Sequence, residues 1–249
     1  MPMKAETSFG KTTNWLLLGM GALERLRLWP LCARRRLSVR THLERTGSAL
    51  TSICFIESGV VSSLETGDVR DPIEVGVVGR EGMIGTAAIA NLIPQRDAFV
   101  QIEGEALFIE IGDFQDCVRS SVNLRMYLSR YIQAQMVQIS LAASAGVRAS
   151  VQQRLARKLL MYRDRTDTDD LALTHESMSL MLGVRRASIT HAVHNLEASA
   201  FIRAQRGMIT IRDRPGLEAY CGRFYGVAEA RYTEIMGTTP QPARLHMRA

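Results

Sequence analysis

The stretch Leu173–Asp213, LTHESMSLMLGVRRASITHAVHNLEASAFIRAQRGMITIRD, reads as a helix, a tight turn, a second helix with a basic start, and a β-hairpin. Thr174 suits an N-cap, because its hydroxyl can accept from an otherwise unpaired amide, and Glu176 favours the positive end of the helix dipole. Met178, Met181 and Leu182 fall on one helical face, and Gly183 follows where the chain must enter a left-handed conformation. The second helix is expected to begin near Arg185 and to bury Ile189, Val193 and Leu196, whose spacing is helical. Phe201-Ile202 and Ile209-Thr210-Ile211 are β-rich runs, with Gly207 as the turn between them. That order is the winged form of the helix-turn-helix.

In such a unit the second helix enters the major groove of double-stranded DNA, N-terminal residues nearest the base edges. Arg185 and Arg186 then stand where a guanidinium can fork onto guanine or grip phosphate, with Ser188, Thr190 and His191 further along the same face. Arg203 and Arg206, on or beside the hairpin, are placed to touch backbone phosphates. Taken alone, an arginine pair at a helix start is more often solvated charge. Gly183, the apolar stripe and the hairpin together favour the reader.

Charge distribution agrees with this placement. The 249 residues carry a formal net charge of +6 and a pI of about 9.4. Residues 1–147 are balanced, whereas residues 148–226 hold 13 Lys/Arg against 8 Asp/Glu. A basic surplus beside the reader would give salt-dependent affinity for phosphates. Cys32, Cys54, Cys117 and Cys221 are widely separated and lack metal-ligand spacing, so free thiols in a reducing cytoplasm are expected. Neither a signal peptide nor a membrane span is expected: Trp15–Leu18 is too short, and 131–147 too short and polar.

The N-terminal half has another texture. Residues 1–13 read as a frayed tail, and the leucines between Leu16 and Leu28 as one or two short helices before Pro30. From about Leu37 to Ile111, short apolar runs (Ile53–Ile56, Val60–Leu64, Ile73–Val78, Phe99–Ile102, Ala106–Ile111) alternate with Gly and charged turns, as in a small β-barrel or β-roll. Gly59, Gly67, Gly79, Gly82 and Gly104 mark the expected corners.

The C-terminal segment resembles the DNA-binding domain of CRP/FNR-family bacterial transcription regulators, through Leu173-Thr174, Leu182 to Arg186, Leu196-Glu197, Ile202 and Gly207 to Ile211. The resemblance puts Arg186 at the arginine that reads DNA, with Ala187 in place of the usual glutamate and His191 in place of a second basic reader. The N-terminal half resembles the same family's cyclic-nucleotide-binding β-roll. Its phosphate cassette, Gly-Glu to Arg-Ser-Ala in nucleotide-binding members, falls in frame on Gly85-Thr86 and Arg96-Asp97-Ala98. Thr86 replaces the ribose-binding glutamate, and Asp97 replaces a hydroxyl donor with a group repulsive to phosphate. A cAMP site is therefore not expected, and Arg96 is expected to pair with an acid of the chain.

Asp113–Arg119 reads as a short helix, and Asn123 as the cap of a long one reaching about Gly146. On it, Leu128, Ile132, Gln135, Ile139 and Ala142 follow a heptad seam. An intramolecular stripe would give nearly the same pattern; the family resemblance implies a homodimer built on this helix, with Gln135 fixing register. Ser150 would cap the next helix, Asp164–Asp170 would form a solvated acidic turn, and Leu217 to about Met236 a last helix.

The expected architecture is α+β: a tail (1–13), a β-roll sensor-like domain with flanking helices (14–122), a dimerisation helix and hinge (123–147), a winged helix-turn-helix (148–236) and a second tail (237–249). No nucleophile elbow, P-loop, zincin or dinucleotide motif is present, so no catalytic residue, metal or cofactor is expected. The expected partners are double-stranded DNA, a second copy of the chain, an unidentified small-molecule effector and RNA polymerase. Two alternatives stay open: a ligand sensor acting through protein contacts, and a metal- or haem-dependent gas sensor.

Overall fold

The computed structural model describes residues 11–65, 72–166 and 168–237. Short helices α1 (Trp15–Leu18) and α2 (Ala22–Leu28) precede six strands: β1 (Ala33–Leu37), β2 (His42–Glu44), β3 (Ser52–Glu65), β4 (Ile73–Val78), β5 (Met83–Ile84) and β6 (Asp97–Glu110). They form one antiparallel sheet in the order β1-β6-β3-β4, with β2 also on β6 and β5 also on β3. Alternation sorts the side chains of β3. Cys54 and Ile56 face Val100 and Ala106 inside the roll, whereas Ile53 and Phe55 pack outward with Leu107 and Ile109. That outer layer is covered by α3 (Ile111–Ser120) and α4 (Val122–Arg148), through Phe114, Leu124 and Leu128.

Two of the expected corners lie inside strands. β3 and β6 are each 14 residues long and pair along nearly their whole length, with register shifts around Gly59. A Cβ on Gly104 would stand 2.1 Å from the Ser58 carbonyl oxygen, and one on Gly59, at φ +85°, 2.6 Å from those of Ile102 and Glu103. These glycines permit close backbone approach at a bulge rather than a reversal of the chain. Gly67 lies outside the described residues. Gly104→Ala is expected to cost about 1–3 kcal/mol or more, because the opposing atoms are backbone and cannot yield. Gly112→Ala, inside α3 with open space at its Cβ, should stabilise by about 0.5–1 kcal/mol. Urea midpoints of the two variants should therefore move in opposite directions.

Several termini differ from expectation for local reasons. Residues 1–10 lie outside the described residues, but Thr12 and Thr13 are not frayed: both hydroxyls bond Glu57, and Thr13 Oγ1 donates to its carbonyl at 2.7 Å. Ser121, not Asn123, caps α4, accepting from the Leu124 amide at 3.2 Å. The last helix is broken in two, α8 (Arg214–Cys221) and α9 (Val227–Met236), because Gly222 and Gly226 adopt positive φ. α9 turns back along α4, and Met236 is buried in the outer core of the roll.

Beyond α4, α5 (Val151–Arg163) starts from a capping box between Ser150 and Gln153. Then come β7 (Asp170–Leu171), α6 (His175–Leu182), α7 (Arg186–Ala198), β8 (Ile202–Gln205) and β9 (Met208–Ile211), with sheet order β7-β9-β8. Their core joins Leu155 and Leu159 of α5 to Met178, Ile189, Leu196 and Ile209, and reaches Val60 and Val77 of the roll.

Two buried ion pairs fasten this domain to the roll. Glu74 of β4 receives Lys158, the Tyr162 hydroxyl at 2.6 Å and the Ser62 hydroxyl. Glu81 receives Arg165 Nε at 2.7 Å. Burial pulls the Lys158 ammonium below its ordinary range although Glu74 opposes it. The acidic turn is accordingly not free in solvent: Asp164 pairs with Arg214 at 2.8 Å, and Asp169 with Arg163 at 2.7 Å.

Candidate nucleic-acid interface

Local chemistry builds the two helices and the turn between them. Thr174 caps α6 by accepting from the Ser177 amide at 3.1 Å, and the Ser177 hydroxyl in turn accepts from the Thr174 amide. Gly183 takes the left-handed conformation (φ 59°, ψ 42°) and its amide satisfies carbonyls at the end of α6. Arg185 is the N-cap position of α7, without a side-chain cap of its own. Ile189, Ala192, Val193 and Leu196 are buried, which turns Arg185, Arg186, Thr190, His191 and His194 outward and leaves Ser188 half-buried.

Arg185, Arg186, Arg203 and Arg206 are all exposed, and among the described residues none has an ion pair or side-chain hydrogen bond. Two sit at the start of α7, one on β8, and one beside Gly207 in the turn to β9. Gly207, at φ +75°, makes that turn. Glu197 ties the helix to the wing by accepting from the Ala204 amide at 2.8 Å. Four unneutralised guanidiniums thus project from one winged unit, an arrangement suited to a polyanion.

Two expected readers are partly engaged. The Thr190 hydroxyl donates back to the Arg186 carbonyl at 3.2 Å and lies 3.2 Å from His175 Nδ1. His191 Nε2 is 3.2 Å from the Asn195 side-chain amide. His175 and Asn195 are not among the residues expected at this face. His175 opens α6 and meets α7 only because the turn folds one helix across the other; Asn195 follows from its four-residue spacing to His191.

In the roll, Gly85 is left-handed (φ 102°) and Thr86 starts a 3-10 turn, Thr86–Ala90. Asp97 opens β6 and accepts from the Thr46 amide at 2.7 Å and its hydroxyl at 2.9 Å. Burial pushes the Glu44 carboxyl of β2 above its ordinary range, against the nearby Gly85 backbone and the charge of Arg96; Arg96, expected to pair with an acid, has no ion pair among the described residues.

The expected seam on α4 is not one open stripe. Leu128 is fully buried in the roll, and Gln135 donates to the Tyr131 hydroxyl at 2.8 Å. The roll covers Leu128, whereas Ile132, Gln135, Ile139 and Ala142 are half-buried, and a more exposed heptad lies one position further on. It runs through Val122, Met126, Ser129, Gln133, Met136, Ser140, Ala143 and Val147, with Val122, Met126, Met136 and Val147 each more than half exposed. The four cysteines are free; burial pushes the Cys32 and Cys221 thiols up to about 12. Among the described residues, no group of three or more His, Cys, Asp or Glu could hold a metal, and no helix is long and apolar enough to cross a membrane.

Fold and interface define the class: the chain has the fold of CRP/FNR-type transcription regulators, and residues 153–220 match the Crp-like helix-turn-helix domain. Among solved structures it is similar to a putative CRP/FNR-family regulator of Eubacterium rectale, at 16% identity and TM-score 0.66, over 83% of this chain and 97% of that one. It is likewise similar to the CRP-family regulator TTHB099 of Thermus thermophilus, at 16% identity and TM-score 0.63, over 76% of this chain and 96% of that one. FixK2 of Bradyrhizobium japonicum matches at 12% identity and TM-score 0.64, over 77% of this chain and 98% of that one. No curated protein sequence matches significantly.

Proposed function

We propose that the protein is a cytoplasmic, sequence-specific DNA-binding transcription regulator that acts as a homodimer on a palindromic operator. The observation that carries this reading is the set of four unpaired, exposed arginines on α7 and the wing of a Crp-like domain. Arg186 and Arg185 read base edges with Ser188 and His191, while Arg203 and Arg206 grip phosphate. The dimer forms on the open heptad of α4 from Val122 to Val147, a face that narrows to Ser140 and Ala143 where two helices can approach closely. On promoter DNA the dimer contacts RNA polymerase.

The input of this regulator is not cAMP. Asp97 on Thr46 supports that exclusion, since a carboxylate there repels a cyclic phosphate and cannot donate to it as a hydroxyl does. Arg186→Ala is expected to weaken operator binding by about 1–3 kcal/mol and relax base preference at one position. Arg206→Ala should instead weaken all sequences alike and lower the salt slope by about one. Fluorescence anisotropy on operator and scrambled DNA at several salt concentrations separates the two. Unchanged selectivity in Arg186→Ala would remove that residue from the readers.

A further inference from the structure

Three arginines meet where α4, α5 and the 3-10 turn Gly222–Phe224 converge, and among the described residues no acid lines the place. Arg148 ends α4, Arg157 lies within α5, and Arg223 sits in the turn. With Ser144, Leu141 and Phe224 they line a cleft of about 160 Å³ that has no Asp or Glu in its wall.

Arg157 is the unusual member. The described residues bury four cations: Arg157, Lys158, Arg163 and Arg165. Lys158 has Glu74, Arg163 has Asp169, and Arg165 has Glu81. Among the described residues Arg157, 4% exposed, has only a hydrogen bond from Nε to the Phe224 carbonyl at 2.9 Å, and no carboxylate within ion-pairing distance. Glu229 and Glu74 act on it from beyond contact, and Arg165 repels it. A buried charge without a counter-ion is costly, and two further guanidiniums at the same cleft add to the cost.

Ser144 completes the set. Ser129 and Ser140 on the same helix donate back to carbonyls one turn earlier, each at 2.8 Å. Among the described residues the Ser144 hydroxyl has no such bond, so its donor is available to the cleft.

We propose that this cleft is an anion site that takes the phosphate group of a small phosphorylated ligand, held by Arg148, Arg157, Arg223 and Ser144. A phosphomonoester brings a charge of about −1.5 to −2 and three strong acceptor oxygens at neutral pH, which suits three guanidinium forks. A lone carboxylate would compensate one positive charge and leave two. Leu141 and Phe224 offer an apolar wall to whatever carries the phosphate. Because α4, α5 and the turn before α9 all contribute, an occupant ties the long helix to the helix-turn-helix domain and biases the angle between them. The site is separate from the cassette in the roll and does not depend on DNA reading.

Isothermal titration of the full chain with inorganic phosphate and with phenyl phosphate, against chloride at matched ionic strength, tests this directly. Saturable binding is expected for both. Tighter binding of phenyl phosphate would mean that the organic body is seated on the apolar wall, and equal binding that the head group alone is recognised. The double variant Arg148→Gln/Arg223→Gln, changed only at exposed positions, should lose about tenfold or more in affinity. Arg186→Ala should stay within about twofold of the parent. Absence of saturable binding would overturn the proposal. So would a double variant that binds like the parent, or loss of binding in Arg186→Ala, which would place the anion on the DNA face.

Discussion

Glu74→Ala is expected to destabilise the folded chain by about 3–5 kcal/mol, the cost of breaking a buried ion pair by removing one partner. Glu74 is 5% exposed and accepts from Lys158, Tyr162 and Ser62, so its loss strands an ammonium and a phenol in the interior. The penalty belongs to the orphaned charge rather than to the attraction that was lost. Glu74→Leu/Lys158→Met should therefore recover most of the stability, since apolar replacement of a whole buried pair is often neutral or better. Because β4 and α5 belong to different domains, the single variant should also loosen the helix-turn-helix domain from the roll. Denaturant midpoints and hydrogen exchange along α5 report both effects. A double variant as unstable as Glu74→Ala would mean that the pair itself, and not the stranded charge, dominates.

Ile189→Ala is expected to cost about 2–5 kcal/mol, the range for deleting a large aliphatic side chain from a packed core. Ile189 is fully buried and belongs to the cluster that seats α7 against α5 and α6. With the cavity beneath it, α7 loses the support that aims Arg185 and Arg186. DNA affinity should fall with the folded fraction while the salt slope of the remaining folded protein is unchanged. His194→Ala, on the exposed side of the same helix, should shift stability by less than about 0.5 kcal/mol. Paired unfolding and anisotropy measurements distinguish this from direct loss of a reader.

The winged unit was legible in the sequence because its determinants are local. The Thr174 cap, the Gly183 turn, the Ile189–Val193–Leu196 stripe and the Gly207 turn each act within a few residues, and each is found where its chemistry placed it. Features whose partners are distant in sequence carry no such local signal. Gly59 and Gly104 looked like corners because glycine serves both turns and close approaches, and only the cross-strand partner tells them apart. Nothing near Leu128 in the sequence indicates that the roll covers it, so its burial within α4 had no local signal. Lys158 and Glu74 lie 84 residues apart, so the bond between domains left no trace in either segment. Third strand β7 has two residues, too few for a period.

The same contrast orders the candidate sites. Arg185, Arg186, Arg203 and Arg206 were found from their position in a recognisable unit, and they stand exposed and unpaired. Arg148, Arg157 and Arg223 come from three separated segments and look like ordinary basic residues in sequence. Only the fold brings them to one cleft.

Selection of bound sites from random double-stranded DNA by the full chain, with each enriched site titrated at rising salt, tests whether the protein is a dimeric, sequence-specific DNA reader. The expected result is an inverted repeat whose half-sites lie about 10–10.5 base pairs apart, with affinity falling steeply as salt increases. No enriched sequence, or binding indifferent to salt, would contradict it.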